Sequence, residues 1–179
     1  MSRSTRLSKA LLVFFCIFSF VHARLATAQT LSEVEHEHPD ISTLITLVNS
    51  TLSSQLSALA AEHRAITVFA PDNTAFSSLP ANVTARLHTN ETLLKDVLLY
   101  HILPGNITAH FLLGEGVILA KTLFDNETLM INATSTAIYV EGTRKVIVPD
   151  VFFDLGVIHI INGVLIPPSL HGAILYGSG

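Results

Sequence analysis

Cysteine is nearly missing from this chain: the 179 residues hold one, Cys16, inside an apolar run near the N-terminus. That excludes a disulfide framework, and it excludes a cysteine nucleophile in the body of the chain. Other absences narrow the chemistry further. There is no Gly-x-Ser-x-Gly elbow, no phosphate-binding glycine loop and no His-Glu-x-x-His helix, so the patterns of a serine hydrolase, a nucleotide-binding enzyme and a zinc protease are all missing. Positive charge is scarce too, with 10 Lys and Arg against 14 Asp and Glu. Nucleic acid and anionic lipid both need clustered Lys and Arg, so neither fits as a partner. The sequence therefore predicts a protein that is not an enzyme, with no catalytic residue and no cofactor.

Much of the basic charge that does exist stands at the start. Arg3, Arg6 and Lys9 precede the apolar run Leu11 to Val21, and Ala26-Thr27-Ala28 follows, which is the order of a secretory signal peptide. The run falls well short of the ~20 residues that span a bilayer. Residues 1–28 are accordingly read as a leader cleaved after Ala28. Cleavage removes four basic residues and no acidic one, leaving six against 14 and a net charge of −8. Cys16 leaves with the leader, so the mature 151 residues must hold together by their hydrophobic core, for which one domain of this length suffices. Residues 169–179, Ser169 to Gly179, lack the apolar tail of a lipid-anchor signal. A soluble, secreted product with no membrane span after cleavage is expected.

Six Asn-x-Ser/Thr triplets begin at Asn49, Asn82, Asn90, Asn106, Asn126 and Asn132. Eight asparagines and 26 Ser and Thr in the mature chain give about 1.4 such triplets by chance. The excess points to a glycosylating secretory pathway and a glycan-covered surface.

Residues 29–40 are polar and acidic and read as a mobile arm. Its Glu33, Glu35, His36, Glu37 and His38 have the chemistry of a weak metal site without the spacing of a zinc motif, so no metal ligand is assigned. From Asp40 the pattern changes. Ile41, Leu44, Ile45, Val48, Leu52, Leu56 and Leu59 recur at three- and four-residue steps, predicting one long helix capped by Asp40. Ala65 to Ala70 reads as a buried strand, and Asp72 caps a short helix through Phe76. Pro80 to His88 and Thr92 to Ile102 read as further helices. After residue 110 the chain reads as short strands: 117–123, 128–131, 137–140, 145–148, 151–153, 157–161 and 164–166. Helices first and strands later give an α+β domain.

Two histidines draw attention. His101 falls in the middle of the stripe Leu93, Leu94, Val97, Leu98 and Ile102, and His159 interrupts Val157-Ile158-His159-Ile160-Ile161. Both positions read as buried, hydrogen-bonded core residues rather than exposed ligands. Tyr100 falls at the edge of the first stripe, where its ring packs and its hydroxyl reaches water.

Three blocks carry a family resemblance: Thr67-Val-Phe-Ala-Pro-Asp-Asn-Thr-Ala-Phe76, Leu99-Tyr-His-Ile-Leu-Pro104 and Gly156-Val-Ile-His-Ile-Ile-Asn-Gly-Val-Leu-Ile-Pro-Pro168. In that order they resemble the signature of fasciclin-like domains, over residues 41–168. Leu155 and Asn162 depart from it, standing where the family usually has Asn and Asp. The resemblance implies a wedge of short antiparallel and mixed β-strands flanked by helices, with Phe69, Pro71, Phe76, His101 and His159 in its structural core. It also implies a non-catalytic module for cell adhesion or for matrix or cell-wall binding. The partner would be an extracellular protein, a polysaccharide or a second copy. Tyr100 of the Tyr-His pair and Asp150 of Pro149-Asp150-Val151 match elements tied to partner contact in animal members. The alternative is a secreted carrier of small ligands, or a hydrolase, using a groove on the same scaffold.

Overall fold

The computed structural model describes residues 29–125 and 127–176; residues 1–28, which the sequence reading takes as a leader, Asn126 and residues 177–179 lie outside them. Seven strands form one mixed sheet: β1 (Ile66–Pro71), β2 (Ile102–Pro104), β3 (Val117–Lys121), β4 (Thr128–Ala133), β5 (Ile138–Val140), β6 (Arg144–Phe153) and β7 (Gly156–Ile161). Their order is β2-β1-β7-β6-β5-β4-β3. Only β1 and β7 pair in parallel; every other neighbouring pair is antiparallel. All six residues of β1 and the last five of β7 are buried. That is why both segments are apolar at both parities. In β4 buried and exposed residues alternate, so one face points to water.

Strand β6 links the two halves of the sheet. Arg144 and Lys145 pair with β5, while Val146 to Phe153 pair with β7 through two register shifts, the second between Val148 and Val151. Pro149 and Asp150 occupy that shift, and Asp150 has φ of 57°. The sequence reading of two strands, 145–148 and 151–153, is therefore corrected to one bulged strand. Proline supplies no ladder hydrogen bond, and a bulge is where a strand tolerates it.

The helices are α1 (Leu31–Glu37), α2 (Ser42–Thr51), α3 (Ser53–Ala61), α4 (Asn73–Ser77), α5 (Ala81–Thr89), α6 (Glu91–Tyr100) and α7 (Ala109–Glu115). One face of the sheet buries Ile66, Val68, Ala70, Ile158 and Ile160 against Val34, Ile41, Leu44, Ile45 and Val48. A second core joins Phe69 and Ile161 to Leu129, Ile131 and Val140. A third, between α5, α6 and the C-terminal segment, holds Val83, Leu87, Val97 and Ile174.

Four expectations need correction. The acidic arm is not mobile throughout: Thr30 and Glu33 form a capping box on α1, and Val34 is fully buried in the first core. The long helix is two, broken at Leu52, and Asp40 does not cap it. The cap comes from Asn73, whose Oδ1 accepts the N–H of Thr43 at 3.0 Å and whose Nδ2 donates to Pro39 O. Residues 109–115 form a helix that the reading of strands beyond 110 missed. Finally, 164–166 is not a strand, because the Leu165 N–H goes to a histidine ring instead of a ladder.

Candidate functional site

The polar groups in the core form an ordered chain of hydrogen bonds. The Thr67 hydroxyl donates to Gly105 O and accepts the N–H of Ile107, both at 2.8 Å. Ile107 O accepts the Nε2–H of His159 at 2.8 Å. His159 Nδ1 then accepts the N–H of Asp150 at 3.2 Å, and Asp150 Oδ1 accepts the N–H of Ala109 at 2.8 Å, at the start of α7. His159 therefore works as a neutral ring with one donor and one acceptor. Burial pushes its pKa down, against the bond to Ile107 and the Asp150 carboxylate, which raise it. The Asp150 carboxylate lies 4.0 Å from Nδ1, but with Nδ1 unprotonated this is proximity rather than an ion pair.

His101 is held in the same manner. Nδ1 donates to Val97 O at 2.7 Å and Nε2 accepts the N–H of Leu165 at 2.9 Å. Burial pushes its pKa down to about 4, and the nearby Arg144 adds to that. Phe69 is fully buried and its ring centroid sits 5.4 Å from that of His159. Pro71 is buried and Phe76 half-buried, with Phe76 packing against both the first and third cores.

Tyr100 does not reach water. It is fully buried, and its hydroxyl donates to Thr128 O at 3.3 Å. Burial, with Glu141 and Glu127 close by, raises its pKa. The reading of Tyr100 as a partner contact is thereby corrected: helix α6 ends on it and turns its ring under the sheet instead of along the stripe's edge.

Asp150 is different, for its side chain is 30% exposed and lines an open cleft of about 870 Å³. The floor is the second half of β6. Phe152 is 53% exposed there, with Asp154 beyond it. Glu37 and His38 at the end of α1 and His63 and Arg64 after α3 line the cleft as well. Asn106 stands on the rim. Asp154 is tied to the N-terminal segment by its N–H, which donates to Gln29 O at 2.9 Å. No serine, threonine, cysteine or lysine lines this cleft, so it presents a ring and carboxylates on a fixed strand, without a hydroxyl, thiol or amine nucleophile. Among the described residues no three His, Cys, Asp or Glu gather as a metal site, and in the arm Glu33 is engaged by Thr30.

Sequence reading missed Phe152. Alternation alone marks it as one of two adjacent phenylalanines, and only the bulge decides that Phe153 goes inward and Phe152 outward. Asn49, Asn82, Asn90, Asn106 and Asn132 are all exposed. Asn126 lies outside the described residues.

A fasciclin domain model matches residues 39–167. Protein sll1483 of Synechocystis is 37% identical over 145 residues, covering 79% of this chain and 76% of that protein. The immunogenic protein MPB70 of Mycobacterium bovis is 27% identical over 133 residues, 74% of this chain and 66% of its own. Human periostin is 36% identical over 103 residues, 58% of this chain but 12% of periostin. Among solved structures, a FAS1 domain pair from the insect cell adhesion molecule Fasciclin I superposes with a TM-score of 0.56 at 19% identity, covering 74% of this chain and 47% of that one.

Proposed function

The chain belongs to the fasciclin-domain family, and from that premise we propose that it is a secreted, glycosylated, non-catalytic module that binds an extracellular protein or polysaccharide. The contact surface is the cleft beside β6. One observation carries this reading: the exposed ring of Phe152 lines the cleft with Asp150 on the same strand and Asp154 in the turn that follows it, and the buried histidine network holds that strand. An exposed aromatic on a rigid support is a usual anchor of a binding surface. The adhesion molecule among the structural relatives agrees with that role.

Residues 1–28 serve as the export leader in this reading. A mature chain starting at Gln29 keeps the bond from Asp154 to Gln29 O. The alternative, a carrier or hydrolase, would use the same open cleft, while the apolar void under α1 and α2 holds about 30 Å³, the space of roughly one water. The purified glycosylated domain is tested against cell walls, matrix polymers and itself. Phe152→Ala and Asp154→Ala are expected to weaken binding at least tenfold, about 1.4 kcal/mol, with melting temperatures within a few degrees of wild type. Unchanged binding in both variants, or saturable small-ligand uptake with no polymer or cell binding, overturns the reading.

A further inference from the structure

The outer face of β3 to β5 is apolar where a sheet facing water is ordinarily polar. Val117 is 62% exposed, Leu119 70% and Met130 39%. The register gathers them: Val117 pairs with Asn132, Asn132 with Tyr139, and Leu119 with Met130. Directly paired residues point to the same side, with Cβ atoms about 4.5–5.5 Å apart and diagonal neighbours about 7–8 Å. Asn132 therefore stands in the middle of the patch, between Val117 and Tyr139, one row from Met130.

Strand β3 is also the last of its sheet. Gly116 O bonds Ala133 N and Thr122 N bonds Glu127 O, which sets the phase of the ladder and turns the main-chain groups of Val117 and Leu119 outward. An open edge flanked by exposed apolar side chains is a template for self-pairing. Asn132 opens the triplet Asn132-Ala-Thr134, its side chain is exposed, and no hydrogen bond among the described residues holds its amide.

We propose that an N-linked glycan on Asn132 is the cover of this face, its sugar rings lying over Val117, Leu119, Met130 and Tyr139 and blocking the β3 edge. The inference rests on the secretory reading above. The attachment forms a bond between Asn132 Nδ2 and the anomeric carbon of an oligosaccharide donor carried on a lipid pyrophosphate. The bond from that carbon to the pyrophosphate oxygen breaks, the lipid pyrophosphate leaves, and Nδ2 gives up one proton. Sugar rings carry C–H faces that pack on aliphatic and aromatic side chains while their hydroxyls stay in water. Tethering at the centre of the patch gives the glycan an effective concentration that a free second copy lacks. A second copy docking here would have to displace it.

The test uses the full chain secreted from glycosylating cells. Glycopeptide mass spectrometry reads occupancy at each triplet, and Asn132→Gln is compared with Asn49→Gln, which sits on exposed helix surface. Asn132 is expected to be occupied. Asn132→Gln is expected to raise the fluorescence of an apolar-surface dye about threefold or more and to shift the protein to dimers or larger species in light scattering. Val117→Thr with Leu119→Thr, added to Asn132→Gln, should restore the monomer and the low dye signal. If Asn132→Gln is not secreted, endoglycosidase trimming of the folded wild type replaces it and should give the same two changes. A bare Asn132 in a chain glycosylated at Asn49, Asn82 or Asn90 overturns this inference alone. So does an occupied Asn132 whose loss behaves like loss at Asn49. A chain carrying no glycan at any triplet overturns the secretory reading, and this inference with it.

Discussion

The ring of His101 holds the backbone of Leu165: Nε2 accepts its N–H at 2.9 Å across 64 residues of sequence. The opposite nitrogen donates to Val97 O, so the imidazole ties helix α6 to the segment that follows β7. Both roles require the neutral tautomer, because a protonated Nε2 would point its own hydrogen at the Leu165 N–H.

That arrangement sets a pH dependence. The folded pKa of His101 is pushed down to about 4 from the usual 6.5, so the unfolded chain takes up the proton first. The stabilisation is complete above ~6.5 and is lost as pH falls from there towards about 4, where the folded state also protonates and the loss levels off. Over that window His101 accounts for roughly 3 kcal/mol. His159 acts in the same direction, with the Asp150 carboxylate opposing it. Thermal melts of wild type are expected to drop between pH 7 and pH 4.5, and His101→Gln, which keeps one donor and one acceptor, should flatten that slope while lowering the neutral-pH melting temperature. Equal slopes in the two proteins would refute the assignment.

Gly156 is required both by its own backbone conformation and by a neighbour. Its φ is 144°, and a Cβ there would run into the carbonyl oxygen of Ile66 on the adjacent parallel strand. Gly156→Ala therefore strains the backbone and separates β7 from β1 at the centre of the sheet. A loss of about 3 kcal/mol or more is expected in urea unfolding.

Val34 belongs to the core although it lies in an acidic segment. Val34→Ala should cost about 2 kcal/mol by leaving a cavity, and Val34→Asp considerably more by burying a charge. Denaturant midpoints measure both. An unchanged midpoint in Val34→Ala would mean that α1 does not dock.

Tyr100→Phe separates structure from recognition. It removes the buried hydroxyl bonded to Thr128 O, so about 1 kcal/mol of stability should go. Binding to walls, polymers or cells, expressed per folded molecule, should be the same as wild type, since a fully buried ring touches no partner.

Parts of this architecture are plain in the residues. The stripe of α6 and the alternation of β4 are periodicities of 3.6 and 2, which local side-chain direction creates and sequence displays directly, and the largely apolar runs of β1 and β7, broken by Thr67 and His159, mark strands buried on both faces. The Asp72 cap on α4 is equally local, since it bonds the Ala75 N–H three residues on. Helix α7 was hidden because the exposed Phe111 and Leu113 mask its stripe, while one of its free N–H groups is met by Asp150, 41 residues away. The cap of α2 comes likewise from Asn73. Helix α1 was hidden because one buried valine among glutamates and histidines makes no stripe.

The amino-acid sequence by itself determined the family, the α+β class, the apolar segments that form the sheet centre, and the neutral, buried setting of two histidines, because each follows from residues close together in the chain. Tertiary structure alone decided that Tyr100 is sealed inside, that Phe152 is exposed in the cleft while Phe153 is buried, and that Asn132 stands among Val117, Met130 and Tyr139. The reason is physical: strand register and the bulge at Pro149-Asp150 set which side each residue faces, and both are fixed by partners dozens of residues away that no local pattern encodes.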